Sequence, residues 1–215
     1  MSRGPFQRLL WTVYPRLYDR LWGNRLTDHL AARVVGLLRP GLPVDEVGAG
    51  TGLYTWHLHQ AGVDVRAFEP DARMRRYLAV RLPGLAVSDS AIEELGYGAP
   101  APRAVVAANV LHLVPDPGAA LERLKRRAGR DGMVVLVGPA PRASLTRFCL
   151  ALHKRGESVL GMLRFLSIHI ALAPLVALGG GLRVASRSAR MVDGATMDET
   201  VDGVVRLALF EGLAS

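Results

Sequence analysis

Between residues 44 and 139, short apolar runs alternate with longer amphipathic segments. Continuous apolar runs of this length predict strands that are buried on both faces of a parallel sheet. The amphipathic segments predict helices; in one of them, 116–128, Asp116 can cap the helix and Pro117 suits its first turn. Five strand–helix repeats in a row predict an α/β fold with a doubly wound, mostly parallel sheet. The predicted strands are an extended run from Val44 that ends in an acidic residue, then 63–68, 84–91 (the third strand with its exit), 103–112 and 133–139, with a loop over 96–102.

Two helices are predicted before the first repeat. Residues 6–21 place apolar side chains at helical spacing, and Pro15 inside this segment predicts a kink or two short pieces. The second helix is expected to run from about Thr27, a candidate N-cap, to Leu38, because Arg-Pro-Gly follows.

The segment 143–181 departs from the repeat, since it is long and largely apolar. It predicts two helices that cover a site. A membrane-spanning helix needs about 20 predominantly apolar residues, and Arg164, His169 and Pro174 interrupt this segment. Three alternatives for it stay open: a lid, a surface that forms a homodimer, and peripheral membrane contact through 145–178. After it, the alternating patterns of 182–192 and 204–210 predict two strands, with a turn-rich stretch between them.

The length allows one α/β domain and not two, so we expect 1–215 to form a single domain. Its predicted parts are a helical lead-in (1–40), a ligand-binding core (41–140), a helical cover (141–181) and terminal strands (182–215).

The composition narrows the classes of function and the types of site that are expected. The formal net charge is +8, but the arginines are scattered over helices and not interleaved with aromatics, so nucleic-acid binding is not expected. No spacing typical of metal ligands occurs. The single Cys149 excludes an internal disulfide and, together with a start that is unlike a signal peptide, favours the cytoplasm.

The candidate chemistry centres on a glycine-rich turn after the first strand, Glu46-Val47-Gly48-Ala49-Gly50-Thr51-Gly52. Glycine allows positive φ and close approach of a ligand, and the following helix directs its N-terminus at that ligand. A second carboxylate, Glu69, ends the second strand at the distance where α/β nucleotide-binding folds hold ribose hydroxyls.

This turn resembles motif I of the class I S-adenosylmethionine-dependent methyltransferases, an acidic residue followed by Gly-x-Gly-x-Gly. Later segments, 68–74, 89–91 and 109–117, resemble the same family, in particular its small-molecule and quinone-methylating branch. The resemblance implies a Rossmann-like seven-stranded sheet with a terminal antiparallel pair, N-terminal helices and a helical lid insertion. It also implies S-adenosylmethionine as cofactor, S-adenosylhomocysteine as product, and these cofactor-binding residues: Tyr18, Glu46, Gly48, Ala49, Gly50, Gly52, Glu69, Pro70, Met74, Asp89, Ser90, Ala91 and Asn109.

The resemblance further implies a role for each part. Glycines and the following helix would hold the methionine carboxylate, Glu46 the amino group, and Glu69 the ribose. Asp89 and Ser90 would face the adenine, and Asn109 the methionine portion. The family usually has an acidic residue where this chain has Arg103, and Asn109 does not open the Asn-Pro-Pro-Tyr motif of amino-group methyltransferases.

We therefore expect methyl transfer to an apolar or aromatic small molecule, with oxygen or carbon favoured. The candidate general base is His112, just past the fourth strand, although it can equally be a structural histidine. Two alternatives use the same fold: a cyclase or rearrangement catalyst that retains the cofactor, and a non-catalytic cofactor-binding subunit.

Overall fold

The computed structural model describes residues 5–96, 103–178 and 194–211. Seven strands in these residues form one sheet in the order β3-β2-β1-β4-β5-β7-β6. The first five pair in parallel, and β7 is antiparallel to both β5 and β6. The predicted mostly parallel, seven-stranded fold is thus confirmed. The strands are β1 (Val44–Val47), β2 (Val65–Phe68), β3 (Val87–Ser88), β4 (Ala104–Ala108), β5 (Met133–Pro139), β6 (Met197–Val201) and β7 (Val205–Glu211).

Helices pack on both faces of the sheet. Alternate residues of one strand supply the two cores: Val106 faces one side, and its neighbour Val105 faces the other, which α5 covers. The helices are α1 (Pro5–Trp22), α2 (Arg25–Leu37), α3 (Leu53–Gln60), α4 (Ala72–Arg81), α5 (Pro117–Ala128), α6 (Leu145–Lys154) and α7 (Val159–Leu178).

Two predictions at the N-terminal helices need correction. The first helix, α1, continues through Pro15 as one element and not as two pieces; Pro15 is buried there, so packing outweighs its local penalty. The N-cap of α2 is Asn24 and not Thr27, because the Asn24 side chain accepts the N–H of Thr27 at 3.1 Å. By contrast, Asp116 caps α5 as predicted.

The terminal strand pair also differs from its prediction. The outer strand β6 falls in the stretch predicted as turn-rich, where Met197, Glu199 and Val201 alternate with more exposed residues. Its Asp198 pairs with Arg206 of β7 at 2.7 Å (Arg Nε to Asp Oδ1), which stabilises the hairpin. The strand predicted at 182–192 lies outside the described residues, as does 97–102 of the predicted loop.

The segment after β5 forms the two predicted helices, α6 and α7. Helix α7 packs against α1, so the lead-in and the cover form one helical layer beside the sheet. Among the described residues, no helix, including α7, is long and apolar enough to cross a bilayer.

Candidate active site

The glycine-rich turn joins β1 to α3 in a left-handed backbone. Gly48, Gly50 and Gly52 have φ values of 72°, 59° and 84°. A Cβ atom on Gly48 would lie 2.2 Å from Cγ2 of Val110, so a side chain has no room there. The N–H groups of Gly48 and Ala49 both donate to the Phe68 carbonyl, at 2.7 and 3.1 Å. These residues therefore shape the site through backbone geometry and small size, and their N–H groups are already engaged.

Glu69 fastens this turn to the end of β2. Its Oε2 accepts the Gly50 N–H and its Oε1 accepts the Asp71 N–H, each at 2.8 Å. The side chain is buried, which raises its pKa, while the two backbone donors oppose that rise. Each carboxylate oxygen retains a second lone pair that can accept a ligand hydroxyl.

Glu46 is the second buried carboxylate, on β1. It is only 2% exposed, and burial raises its pKa to about 8, with the negative charge of Glu69 acting in the same direction. No hydrogen-bond partner for its Oε2 occurs among the described residues. A buried carboxylate oxygen with this vacancy suits a cationic donor such as an ammonium group.

Two tyrosines stand next to the carboxylates. The Tyr18 ring lies 3.8 Å from the position of a Cβ on Gly50, so α1 crosses the glycine turn. Burial raises the pKa of Tyr18 well above its usual value, and Tyr14, Tyr54, Glu69 and Glu46 raise it further. Tyr54, in the first turn of α3, is buried, and its hydroxyl has no partner within the described part of the chain. The sequence analysis missed Tyr54; its place just after the glycine turn was the available signal.

Asp19 of α1 holds the lead-in helix on the turn. Its Oδ1 accepts the Thr51 hydroxyl at 2.5 Å, and its Oδ2 accepts the Arg81 guanidinium at 2.6 Å. Arg81 also donates from Nε to the Thr51 carbonyl at 2.9 Å. We call this set of three hydrogen bonds the Asp19 latch. Sequence reasoning did not find it, because residues from α1, the turn and α4 meet only in the folded chain.

The end of β2 and the end of β3 lie side by side at the same edge. The Glu69 N–H donates to the Ser88 carbonyl at 2.9 Å, and Ser88 and Ser90 share a hydrogen bond between their hydroxyls at 3.0 Å. Four other candidate residues occupy this edge; Met74 is buried, Ala91 is partly buried, and Pro70 and Asp89 are exposed.

The end of β4 reverses the chain direction. Asn109 has φ 57°, a left-handed conformation that asparagine tolerates better than most residues, and its N–H donates to the Val137 carbonyl at 2.7 Å. The chain then passes Val110, which contacts Gly48, into a short 3-10 turn that contains His112. Burial lowers the pKa of His112 to about 4, and its Nδ1 lacks a partner among described residues. The imidazole is therefore neutral at pH 7.

Arg103 lies at the other end of β4, away from this edge. It binds Asp45 of β1 (3.4 Å from NH1 to Oδ1), and the same fully buried carboxylate also pairs with Arg66 and Arg127. The basic residue at the start of β4 is thus complemented by an acidic residue on the neighbouring strand. A structural ion-pair network accounts for it.

An aromatic cluster connects the turn to the helical cover. Tyr14 packs edge-on against Tyr18, with ring centroids 5.5 Å apart, and its hydroxyl accepts the Trp22 indole N–H at 2.8 Å. Trp22 in turn packs edge-on against three rings of α6 and α7. We define the aromatic cluster as Tyr14, Tyr18, Trp22, Phe148, Phe165 and His169.

Comparison with known proteins shows a similarity over the middle part of the chain. Residues 46–136 match the family model described as a methyltransferase domain. The matched region begins at Glu46 and contains all of the predicted cofactor-binding residues except Tyr18, as well as His112. No curated protein matches the chain.

Solved structures show the same fold over the whole chain. A chain of the Haloferax volcanii complex of the Trm112 methyltransferase activator with a methyltransferase aligns over 100% of both chains, with a TM-score of 0.59 and 14% identity. An S-adenosylmethionine-dependent methyltransferase from Thermotoga maritima aligns over 94% of this chain and 99% of its own, with a TM-score of 0.58 and 16% identity.

Other alignments are partial. CcbJ methyltransferase from Streptomyces caelestis aligns over 61% of this chain and 59% of its own, with a TM-score of 0.51 and 22% identity. The chain spans 57%, 55% and 61% of the length of three further structures, from Listeria monocytogenes, Streptomyces venezuelae and Anabaena variabilis. At these identities the likeness establishes the fold.

Proposed function

We propose that this chain is an S-adenosylmethionine-dependent methyltransferase that transfers the methyl group to an apolar or aromatic small molecule, at oxygen or carbon. The match of residues 46–136 to a methyltransferase-domain model supports this proposal. One observation carries the proposal. Two buried carboxylates flank a glycine-rich turn, and one of them, Glu46, has an oxygen without a partner among the described residues.

The residues of the site fit the cofactor. The free oxygen of Glu46 suits the amino group of the methionine part, and the spare lone pairs of Glu69 suit the two ribose hydroxyls. The engaged N–H groups of the turn leave the methionine carboxylate to the N-terminus of α3, beyond Gly52. Pro70, Met74, Asp89, Ser90 and Ala91 line the edge for the adenosine, and Asn109 faces the methionine portion. When bound, S-adenosylmethionine supplies a methyl group that its sulfonium makes electrophilic.

The helical cover supports the choice of acceptor. The aromatic cluster extends from the glycine turn to α7, so the part of an acceptor that lies toward α7 would meet mainly aromatic rings. Such a layer excludes water and favours flat or apolar acceptors. The protein would then act mainly by alignment of the acceptor with the methyl group.

His112 fits the role of general base for a restricted set of acceptors. With a pKa of about 4 it is neutral at pH 7 and can accept a proton, but it is a weak base. Acidic hydroxyls, such as those of phenols and enols, suit it best. A carbon acceptor that is already nucleophilic would not need it for the transfer itself.

Calorimetric titration with S-adenosylmethionine and S-adenosylhomocysteine tests the cofactor site. We expect binding by the wild type, loss of binding in Glu69→Ala, and wild-type behaviour in Glu93→Ala, whose side chain is exposed. Absence of binding by the folded wild type would refute the proposal.

Product analysis by mass spectrometry on a panel of phenols, quinols and enols then separates the remaining readings. A gain of one methyl group supports methyl transfer. An isomer of the acceptor supports a cyclase or rearrangement catalyst, and cofactor binding without turnover of any acceptor supports a non-catalytic subunit. A homodimer and a cytoplasmic location stay predictions, to be checked by light scattering and cell fractionation.

A further inference from the structure

A stripe of exposed apolar side chains lies on the outer surface of the helical cover. In α7, Val159, Leu160, Leu163 and Ile170 are 69%, 77%, 58% and 61% exposed, and in α6, Leu150 is 55% exposed. We call these five residues the apolar stripe. Leu160, Leu163 and Ile170 recur at helical spacing, so they share a face opposite buried Phe165 and Leu172. Contiguous exposed apolar side chains on a protein surface commonly indicate a site that contacts another protein or a membrane.

The charges around the stripe are mostly positive. Arg164 is exposed in the middle of α7, and Lys154 is exposed at the end of α6. Glu157 is the only acidic residue in the sequence from 142 to 178, and its carboxylate already accepts the N–H of Arg25 at 3.1 Å. Helix α1, which packs against α7, adds exposed Arg16 and Arg20. The partner of the stripe is therefore expected to be apolar and anionic.

We propose that the apolar stripe docks on the surface of an anionic lipid bilayer. Helices that lie in the interface bury an apolar face at the boundary of headgroups and acyl chains, while arginine and lysine contact anionic headgroups. Helix α7, with 20 residues, is about 30 Å long and can lie flat along such a surface. A second copy of the chain fits the stripe less well, because it would bring the same basic residues and, in the segment 142–178, Glu157 as the only acidic one.

Co-sedimentation with lipid vesicles tests the proposal on the full chain, without any acceptor or cofactor. Vesicles of phosphatidylcholine with about one quarter phosphatidylglycerol should bind the wild type, more tightly than vesicles of phosphatidylcholine alone, and less tightly at high salt. Leu160→Asp and Leu163→Asp should each weaken binding by about tenfold or more, since each replaces a buried apolar contact with a charge of the wrong sign. Circular dichroism should be unchanged, because both side chains are exposed.

Two matched controls separate the stripe from general effects. Val80→Asp makes the same kind of change at a valine of α4 that is 82% exposed, and should leave vesicle binding unchanged. Arg164→Gln should weaken binding by about fivefold, whereas Arg76→Gln, at an exposed arginine of α4, should not. Failure of the wild type to bind anionic vesicles would overturn the proposal, as would equal losses in the stripe and control variants. A dimer that Leu160→Asp dissociates, without vesicle binding, would assign the stripe to a second copy and also overturn it.

Discussion

The cofactor corner and the helical cover hold their residues in place by different means. In the corner, backbone hydrogen bonds fix the glycine turn and join it to Glu69, and Glu46 is buried beside them. In the cover, α1, α6 and α7 meet through aromatic rings and aliphatic side chains, and part of their surface remains apolar and exposed. A constant cofactor needs fixed donors and acceptors at set distances, whereas a cover needs only complementary shape. The corner should therefore respond sharply to single-atom changes, and the cover to changes in volume.

The largest effect is expected from Phe165→Ala in the cover. Phe165 is 2% exposed and contacts Trp22, Phe148 and His169, so truncation should lower the free energy of unfolding by about 3–5 kcal/mol. Chemical denaturation measures it. Leu163→Ala on the same helix, exposed to solvent, should cost less than about 0.5 kcal/mol. If Phe165→Ala abolished cofactor binding in protein that is still folded, the two regions would not be separable.

Glu46→Gln should have opposite effects on stability and on cofactor binding. The folded pKa of Glu46, about 8, lies above the usual value of 4.5, so between these pH values the folded state binds more protons than the unfolded state, and stability falls as pH rises. The amide removes this penalty, which amounts to about 3 kcal/mol at pH 7, and should weaken S-adenosylmethionine binding by at least tenfold. Denaturation at pH 5 and pH 8 should show a flatter pH dependence than in the wild type.

The matched variant for Glu46→Gln is Glu93→Gln, at an exposed carboxyl. It should change neither the pH dependence of stability nor the affinity. Loss of stability in Glu46→Gln at pH 8 would contradict a raised pKa at this position.

Gly48→Ala tests the shape of the corner. Its Cβ would meet Val110 and would sit on a backbone with φ 72°, so we expect a loss of about 1–3 kcal/mol in stability together with loss of cofactor binding. Thermal unfolding measures the loss of stability, and calorimetric titration measures the loss of cofactor binding. Gly36→Ala, at an exposed position of α2 where the added Cβ would have no atom within 4 Å, should instead stabilise the protein by about 0.5–1 kcal/mol. An unchanged Gly48→Ala protein would mean that the turn adapts easily.

The smallest effect is expected from Asp19→Asn. The Asp19 side chain connects α1 of the cover to the glycine turn. The amide keeps an acceptor for Thr51 but loses the ion pair with Arg81, and that pair is partly exposed to solvent, so the affinity for cofactor should fall by only about twofold to fivefold. Asp28→Asn, which breaks an exposed pair with His57, should have no such effect. A loss as large as that of Glu46→Gln would place Asp19 among the residues that contact the cofactor.

The sequence predicted the elements of the sheet better than the side-chain contacts between elements. Strand β5 begins and ends where it was predicted, and β1 lies just before the predicted glycine turn, because continuous apolar runs and glycine turns are local signals. Tyr54, the Asp19 latch and the Asp45 network were not predicted, since each depends on contacts between distant segments. The cap at Asn24 and strand β6 were missed for another reason: competing local patterns, a threonine and a turn-rich composition, pointed elsewhere.

The Asp19 latch also has a consequence for the kinetics of the cycle. Helix α1 crosses the glycine turn at Tyr18 and is held there by Thr51 and Arg81. If the cofactor binds at this turn, as proposed, we expect its release to require this helix to lift. The rate of that opening then sets an upper limit on turnover, whatever the speed of methyl transfer. A weaker latch shortens the residence time of the cofactor. We therefore expect the Asp19→Asn variant to bind the cofactor less tightly and to turn over more quickly.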